Sequence, residues 1–147
     1  LGMYAMESLR LEKSYRMWGM DLTKEYSILE AGLDRFVKIQ KGQFTGREAL
    51  LLQRESGVPQ EFITLEVDVD DADPMGNEPV FSGNEMIGRA TSGCYGHSVG
   101  KSLALAYVES GTGSVGTELE LEILDKRYPA RVIEESPCDP QNEKLRV

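Results

Sequence analysis

Cysteine and histidine are nearly missing from this sequence, which holds two of the former and one of the latter in 147 residues. Cys94 and Cys138 stand far apart, without a C-x-x-C pair or a histidine at ligand spacing, so a zinc site is excluded and no metal ligands are assigned. Two cysteines do not make a disulfide scaffold, and a reducing compartment is expected. No apolar run approaches the ~20 residues that span a bilayer, which excludes a transmembrane helix. Basic residues are scarce: 16 Lys and Arg stand against 25 Asp and Glu, a net charge of -9. That balance argues against nucleic acid or an anionic membrane as partner. There is no initiator methionine at position 1 and no signal peptide. The opening "LGMYAMESLRLEK" reads as the inside of an element, so the chain is expected to be a piece of something longer.

What is present divides in two. Apolar residues recur at Met3, Met6 and Leu9, up to the stem of Lys13, which predicts a helix with one buried face. "LDRFVKIQKG" (33–42) alternates in a β-like way. "TGREALLLQRESG" predicts a helix over 45–56, opened by Thr45 and Glu48 at capping-box spacing and closed by Gly57, with Pro59 beyond. After Pro59 the texture changes. "FITLEVDVD" sets Ile63, Leu65, Val67 and Val69 against Thr64, Glu66 and Asp68, and "TELELEIL" sets Leu119, Leu121 and Ile123 against Glu118, Glu120 and Glu122. With "PVFSG", "EMIGRATSG", "SLALAYVES" and "YPARVIEE" this makes about six short strands, expected to form a small antiparallel barrel or sandwich. "SPCDPQNEKLRV" reads as a polar tail.

Several stretches look like chemistry. "GCYGHSVGKS" (93–102) has the glycines, lysine and hydroxyl of a phosphate-binding P-loop, but the first glycine should fall at Tyr95 and Gly96 comes one residue late. It also joins two strand-like segments, so it reads as a β-loop-β connection with Lys101 in solvent. His97 is the natural base near neutral pH, yet no serine, cysteine or acid is arranged with it for nucleophilic catalysis; it and Cys94 read as turn residues. Glu118, Glu120 and Glu122 share one strand face and read as solvated. "DVDDADPMGNE" has calcium-loop composition without EF-hand spacing. No catalytic residue is assigned.

Taken together, "SLRLEKSYRMWGMDLTKEYSILEAGLDRFVK" and "FTGREALLLQ" resemble the C-terminal part of the glycine-cleavage T-protein (aminomethyltransferase) family. "LEKSYRMWG", "DDADPMGNEPVFSGNEMIGRATSGCYGHSVGKSLALAYV" and "YPARVI" favour its dimethylglycine and sarcosine dehydrogenase branch. The resemblance implies an α+β chain in which a short helix and strand segment, residues 1–56, finishes a folate-binding lobe. Residues 57–147 would then form a small antiparallel β-barrel of about six strands. It further implies tetrahydrofolate shared with lobes outside this chain, FAD in an N-terminal half of the parent protein only, and those remaining lobes as partners. The family's catalytic aspartate and pterin-holding glutamate would also lie outside.

Two positions depart from the family pattern. Met6 stands where T-proteins carry a folate-contacting arginine, and Glu143 where they carry a near-terminal tyrosine. The folate-binding candidates are Arg35, which replaces an aromatic, together with Arg10, Glu12 and Trp18. For Arg10 and Glu12 the alternative is an ordinary charged pair on a helix, and for Trp18 a packing anchor. If the first helix docks on an absent lobe, Met3, Met6 and Leu9 should form an exposed apolar patch. Other readings kept open are an aminomethyltransferase fragment and a non-catalytic scaffold module. The expected compartment is the cytoplasm, or the mitochondrial matrix if the source is eukaryotic.

Overall fold

A computed structural model describes residues 2–146. Helix α1 spans Met3–Leu11, α2 spans Arg47–Ser56, and six strands follow: β1 Gln60–Val67, β2 Pro79–Ser82, β3 Glu85–Gly96, β4 Lys101–Glu109, β5 Glu118–Ile123 and β6 Lys126–Ile133. The strands close into an antiparallel barrel in the order β1-β4-β3-β2-β5-β6. Closure leaves no sheet edge unpaired. Alternation does the work foreseen for it. Ile63, Leu65 and Val67 of β1 meet Leu119, Leu121 and Ile123 of β5 and Val132 of β6 inside the barrel.

β4 departs from simple alternation for a physical reason. Its Ala104, Ala106 and Val108 fill the barrel, while Leu103, Leu105 and Tyr107 on the opposite face are buried too, with Leu11, Ala31 and Phe62. A strand covered on both faces must be apolar throughout, which accounts for the unbroken "SLALAYV". The cover is residues 2–33. Leu11 of α1 lies in this outer core, and the Tyr26 ring stacks flat on Tyr107 at 3.7 Å. By contrast α2 buries none of its residues.

Three local expectations are corrected. Residues 33–42 form two 3-10 turns, Asp34–Phe36 and Ile39–Lys41, rather than a strand. Short-range bonds take this segment's amides, Phe36 to the Leu33 carbonyl, Val37 to that of Asp34 and Lys41 to that of Lys38. The capping box does not form either: the N-cap of α2 is Gly46 in the left-handed region, with no side-chain cap. Finally, the buried side of α1 is made by Ser8, Arg10 and Leu11. Met3, Met6 and Leu9 face out at 68%, 37% and 52% exposure, so the apolar patch is there.

The β5–β6 hairpin closes through a two-residue turn, Leu124–Asp125, with φ of 50° and 62°. Two left-handed residues in that place favour Asn-Gly, and a leucine there is strained. Leu124 is almost fully exposed, so little packing is lost on replacing it. Leu124→Asn is expected to raise the unfolding free energy by about 0.5–1 kcal/mol, read from the urea midpoint.

Candidate functional site

Two of the side chains that sequence reasoning singled out, Arg10 and Glu12, lie in the seam between α1 and the barrel. Arg10, 9% exposed, is the hub. Its Nε donates to Glu7 Oε2 (2.7 Å), Nη1 to Asp21 Oδ2 (2.8 Å) and Nη2 to Ser92 Oγ (2.8 Å). Asp21 is wholly buried and fully bonded. Its Oδ2 also accepts the Met17 amide (2.7 Å), and its Oδ1 accepts the hydroxyls of Thr91 (2.5 Å) and Ser92 (2.7 Å). The Tyr107 hydroxyl donates to the Asp21 carbonyl at 2.9 Å. Burial pushes the Tyr107 phenol well up, so it stays a donor.

Two consecutive strand residues ordinarily point to opposite faces. Thr91 and Ser92 reach one carboxylate because β3 carries a bulge where its register with β4 shifts, between Ala90 and Ser92. Among the described residues no buried side-chain nitrogen or oxygen lacks a partner.

Glu12 is likewise committed to the fold. Its Oε1 accepts the Ser98 amide at 2.5 Å, and Ser8 Oγ accepts the His97 amide at 3.2 Å. These amides belong to the β3–β4 hairpin of "GCYGHSVGKS". A P-loop would offer such groups to phosphate; here α1 takes two of them, and no helix follows. Lys101 pairs at the surface with Glu66, 2.8 Å away, which holds its ammonium above the usual range.

A second glycine pattern, "GTGSVG" at 111–116, has G-x-G-x-x-G spacing that the sequence reading did not single out. It joins β4 to β5, and Glu61 Oε1 accepts its Gly111 and Gly113 amides at 2.9 and 2.7 Å. The glutamates of β5 face outward, Glu118 onto Arg131 and Glu120 and Glu122 onto Arg127.

Trp18 and Arg35 are free to meet a ligand. Trp18 is 76% exposed, on the turn that Asp21 holds. Arg35 is exposed, its guanidinium 4.9 Å from the centre of the Phe36 ring. The structure does not gather the four candidates around one hollow. Arg10 and Glu12 are inside the seam, and Trp18 and Arg35 are on the surface.

The polar tail is also part of the seam. Lys13 Nζ bonds Asn142 Oδ1 (2.8 Å) and the Asp139 carbonyl, Ser14 Oγ accepts the Ser136 amide (2.9 Å), and the Glu12 carbonyl accepts the Cys138 amide (3.0 Å).

Two hollows were not foreseen. One, of about 440 Å³, is lined by Lys38, Lys41 and Arg54, in the same segment as Arg35. The other, of about 460 Å³, lies between α1 and β3 and is walled by Met3, Tyr4, Met20, Met75 and Cys94, with Glu7 and Asp73. Nothing local signalled the first, because Arg54 comes from α2 while Lys38 and Lys41 come from the turns before it. Nothing signalled the second, whose walls come from four separate stretches.

Among the described residues the fold is a closed six-stranded antiparallel barrel with a helical N-terminal collar packed on it. Two family models match in succession: the GCVT N-terminal domain over residues 1–41 and the glycine cleavage T-protein C-terminal barrel domain over residues 60–139. The chain belongs to the glycine cleavage T-protein C-terminal barrel domain family.

It is 44% identical over 135 residues to the mitochondrial dimethylglycine dehydrogenase of Rattus norvegicus, covering 91% of this chain and 16% of that protein. It is 42% identical over 132 residues to the aminomethyltransferase of Moorella thermoacetica, covering 90% of this chain and 36% of that one. The crystal structure of the glycine cleavage system aminomethyltransferase T from Bartonella henselae superposes with a TM-score of 0.85 at 26% identity, over 92% of this chain and 38% of that chain. The chain therefore spans a sixth to rather more than a third of these relatives.

Proposed function

We propose that this chain is the folate-side C-terminal part of a dimethylglycine dehydrogenase-like flavoenzyme. Its barrel would close one side of a tetrahydrofolate site that preceding lobes of the parent chain complete. The observation that carries this is the 44% identity to the rat dimethylglycine dehydrogenase over nine-tenths of the chain. The uncovered apolar row of Met3, Tyr4, Met6 and Leu9 supports it, because such a row marks a surface meant to be covered.

Arg10 and Glu12 have their donors and acceptors spent inside the fold. Of the four candidates, Trp18 and Arg35 remain able to hold a flat, anionic ligand, the first by stacking and the second by stacking or ion pairing. When bound, tetrahydrofolate supplies the nitrogens that capture a one-carbon unit. The barrel's own part is to dock the lobes and keep water from that site. Among the described residues neither glycine-rich loop leads from a strand into a helix, and the flavin would belong to the parent's other half. In a eukaryotic source the compartment would be the mitochondrial matrix, in keeping with the name of the rat relative.

A second reading, as part of an aminomethyltransferase, is favoured by the Moorella thermoacetica relative at 42% identity. One experiment separates the two. The longer protein that carries the preceding lobes is titrated with 5-formyltetrahydrofolate and assayed for dimethylglycine- and sarcosine-dependent dye reduction. Micromolar folate binding and reduction with one of the two amines are expected. Trp18→Ala should weaken folate binding by roughly fivefold or more, the effect of losing one stacked heterocycle. Inertness to both amines, together with aminomethyl transfer, would establish the second reading. Dye reduction by the 147-residue chain alone would contradict both.

A further inference from the structure

The hollow between α1 and β3 is built rather than incidental. Its walls come from α1 (Met3, Tyr4, Glu7), the Asp21-held turn (Met20), the β1–β2 connection (Asp73, Pro74, Met75) and β3 (Cys94). Arg10 ties three of these elements together, through Glu7, Asp21 and Ser92. The fourth wall closes because residue 93 is glycine: a Cβ there would meet the Pro74 carbonyl oxygen at 2.5 Å. The seam thus fixes the position of each wall, although the methionine ends stay free to adapt to a guest.

The chemistry of the walls is one-sided. Three methionines, a tyrosine and a thiol give polarisable apolar surface. Two carboxylates, Glu7 and Asp73, stand among them, and no cation is among the lining residues. Asp73 bonds only the Ser102 hydroxyl, and among the described residues no cation pairs with it. The local charge is negative, and it is felt inside: burial, followed by the Asp73 and Glu7 charges, pushes the Cys94 thiol up.

We propose that this hollow is a receptor for an apolar cation, an alkylammonium or alkylguanidinium group. Its charge would pair with Asp73 at the rim, and its alkyl body and ring-facing side would lie on Met3, Met20, Met75 and Tyr4. The group has two possible sources: a free amine, or a Lys or Arg side chain from the remainder of a longer parent chain. Every wall belongs to this chain, and Met3 and Tyr4 are shared with the apolar row that the proposed function assigns to lobe docking.

The test is methionine-methyl NMR of the chain with n-butylammonium as probe, and n-butyrate and n-butanol as controls. The Met3, Met20 and Met75 signals are expected to shift saturably with the ammonium alone. Met86, at the far end of β3, should stay still. Added salt should weaken the effect. Asp73→Asn should weaken binding about two- to fivefold, the loss of one exposed ion pair. Met75→Lys, at an exposed position, should place a cation of the chain's own in the hollow and abolish the shifts, with the rest of the spectrum unchanged.

Absence of saturation, equal shifts with butanol or butyrate, or an unaltered response in Asp73→Asn would each overturn the proposal. In the longer protein, persistent response to n-butylammonium identifies a free amine as the guest. A hollow that no longer responds, with its methyl signals already at their bound positions, identifies a side chain of the parent.

Discussion

Asp21→Ala is expected to lower the unfolding free energy by about 3–5 kcal/mol, the largest effect of any single substitution at the seam. The carboxylate accepts four hydrogen bonds, from Arg10, Met17, Thr91 and Ser92, in a wholly buried place. Its removal leaves Glu7 as the one carboxylate on the buried Arg10 guanidinium, beside the Tyr15 carbonyl and the Ser92 hydroxyl, and takes an acceptor from two hydroxyls and an amide at once. An uncompensated buried charge costs far more than the pair itself contributes, because the desolvation penalty remains when the attraction has gone. Domains of this size are stable by only about 5–15 kcal/mol, so the variant should sit near the folding threshold. Urea unfolding followed by far-ultraviolet circular dichroism measures this. Fluorescence of Trp18, the sole tryptophan, would report separately on the turn that Asp21 holds. The double variant Arg10→Met with Asp21→Leu should recover part of the loss, since replacing both partners removes the stranded charge. A loss below about 1 kcal/mol for Asp21→Ala would show that the network is not what joins the collar to the barrel.

Leu11→Ala should cost about 2–5 kcal/mol. Leu11 is completely buried between α1 and the outer face of β4, with Leu103, Leu105 and Tyr107 around it. Truncation removes apolar contact and leaves a hole that Phe62 and the β4 backbone are too constrained to fill. Leu52→Ala makes the contrast. Leu52 is exposed on α2, which buries nothing, and its truncation should change stability by no more than about 0.5 kcal/mol. The pair of measurements locates a boundary that sequence reading sets at 56. If residues 2–33 fold with the barrel and only the following segment stands apart, the costs should differ severalfold. Similar small costs in both variants would support the boundary at 56.

Much of the barrel was legible because strand physics is local. Alternation in "FITLEV" and "TELELE" requires only that one face be wet and one dry, and the six strands appear where those patterns and their turn residues place them. The hairpin at "GCYGHSVGKS" was legible for a related reason, since flanking strands rule out the helix that a phosphate loop needs. Residues 33–42 misled because apolar spacing over so short a run suits a strand or a pair of tight turns equally. The capping box failed although Thr45 and Glu48 have the right spacing, because the left-handed Gly46 starts the helix one residue later. The roles of Arg10 and Glu12 were out of reach. Their partners Asp21, Ser92 and Ser98 lie as many as 86 residues away, and no spacing rule connects them.

By itself the sequence determined the family, the six strands, the acidic outer face and the exposed apolar row on α1. The family follows from the resemblance of whole stretches, and the others from side-chain periods of two and 3.6. Only the tertiary structure decided that the collar of residues 2–33 belongs against β4 and that Asp21 is the point where collar and barrel meet. It also decided that a sulfur-rich acidic hollow opens between them. The reason is that each depends on a coincidence of distant segments. The bulge in β3 turns Thr91 and Ser92 toward one carboxylate, Gly93 lets Pro74 approach, and Arg10 reaches three walls, none of which any local pattern encodes.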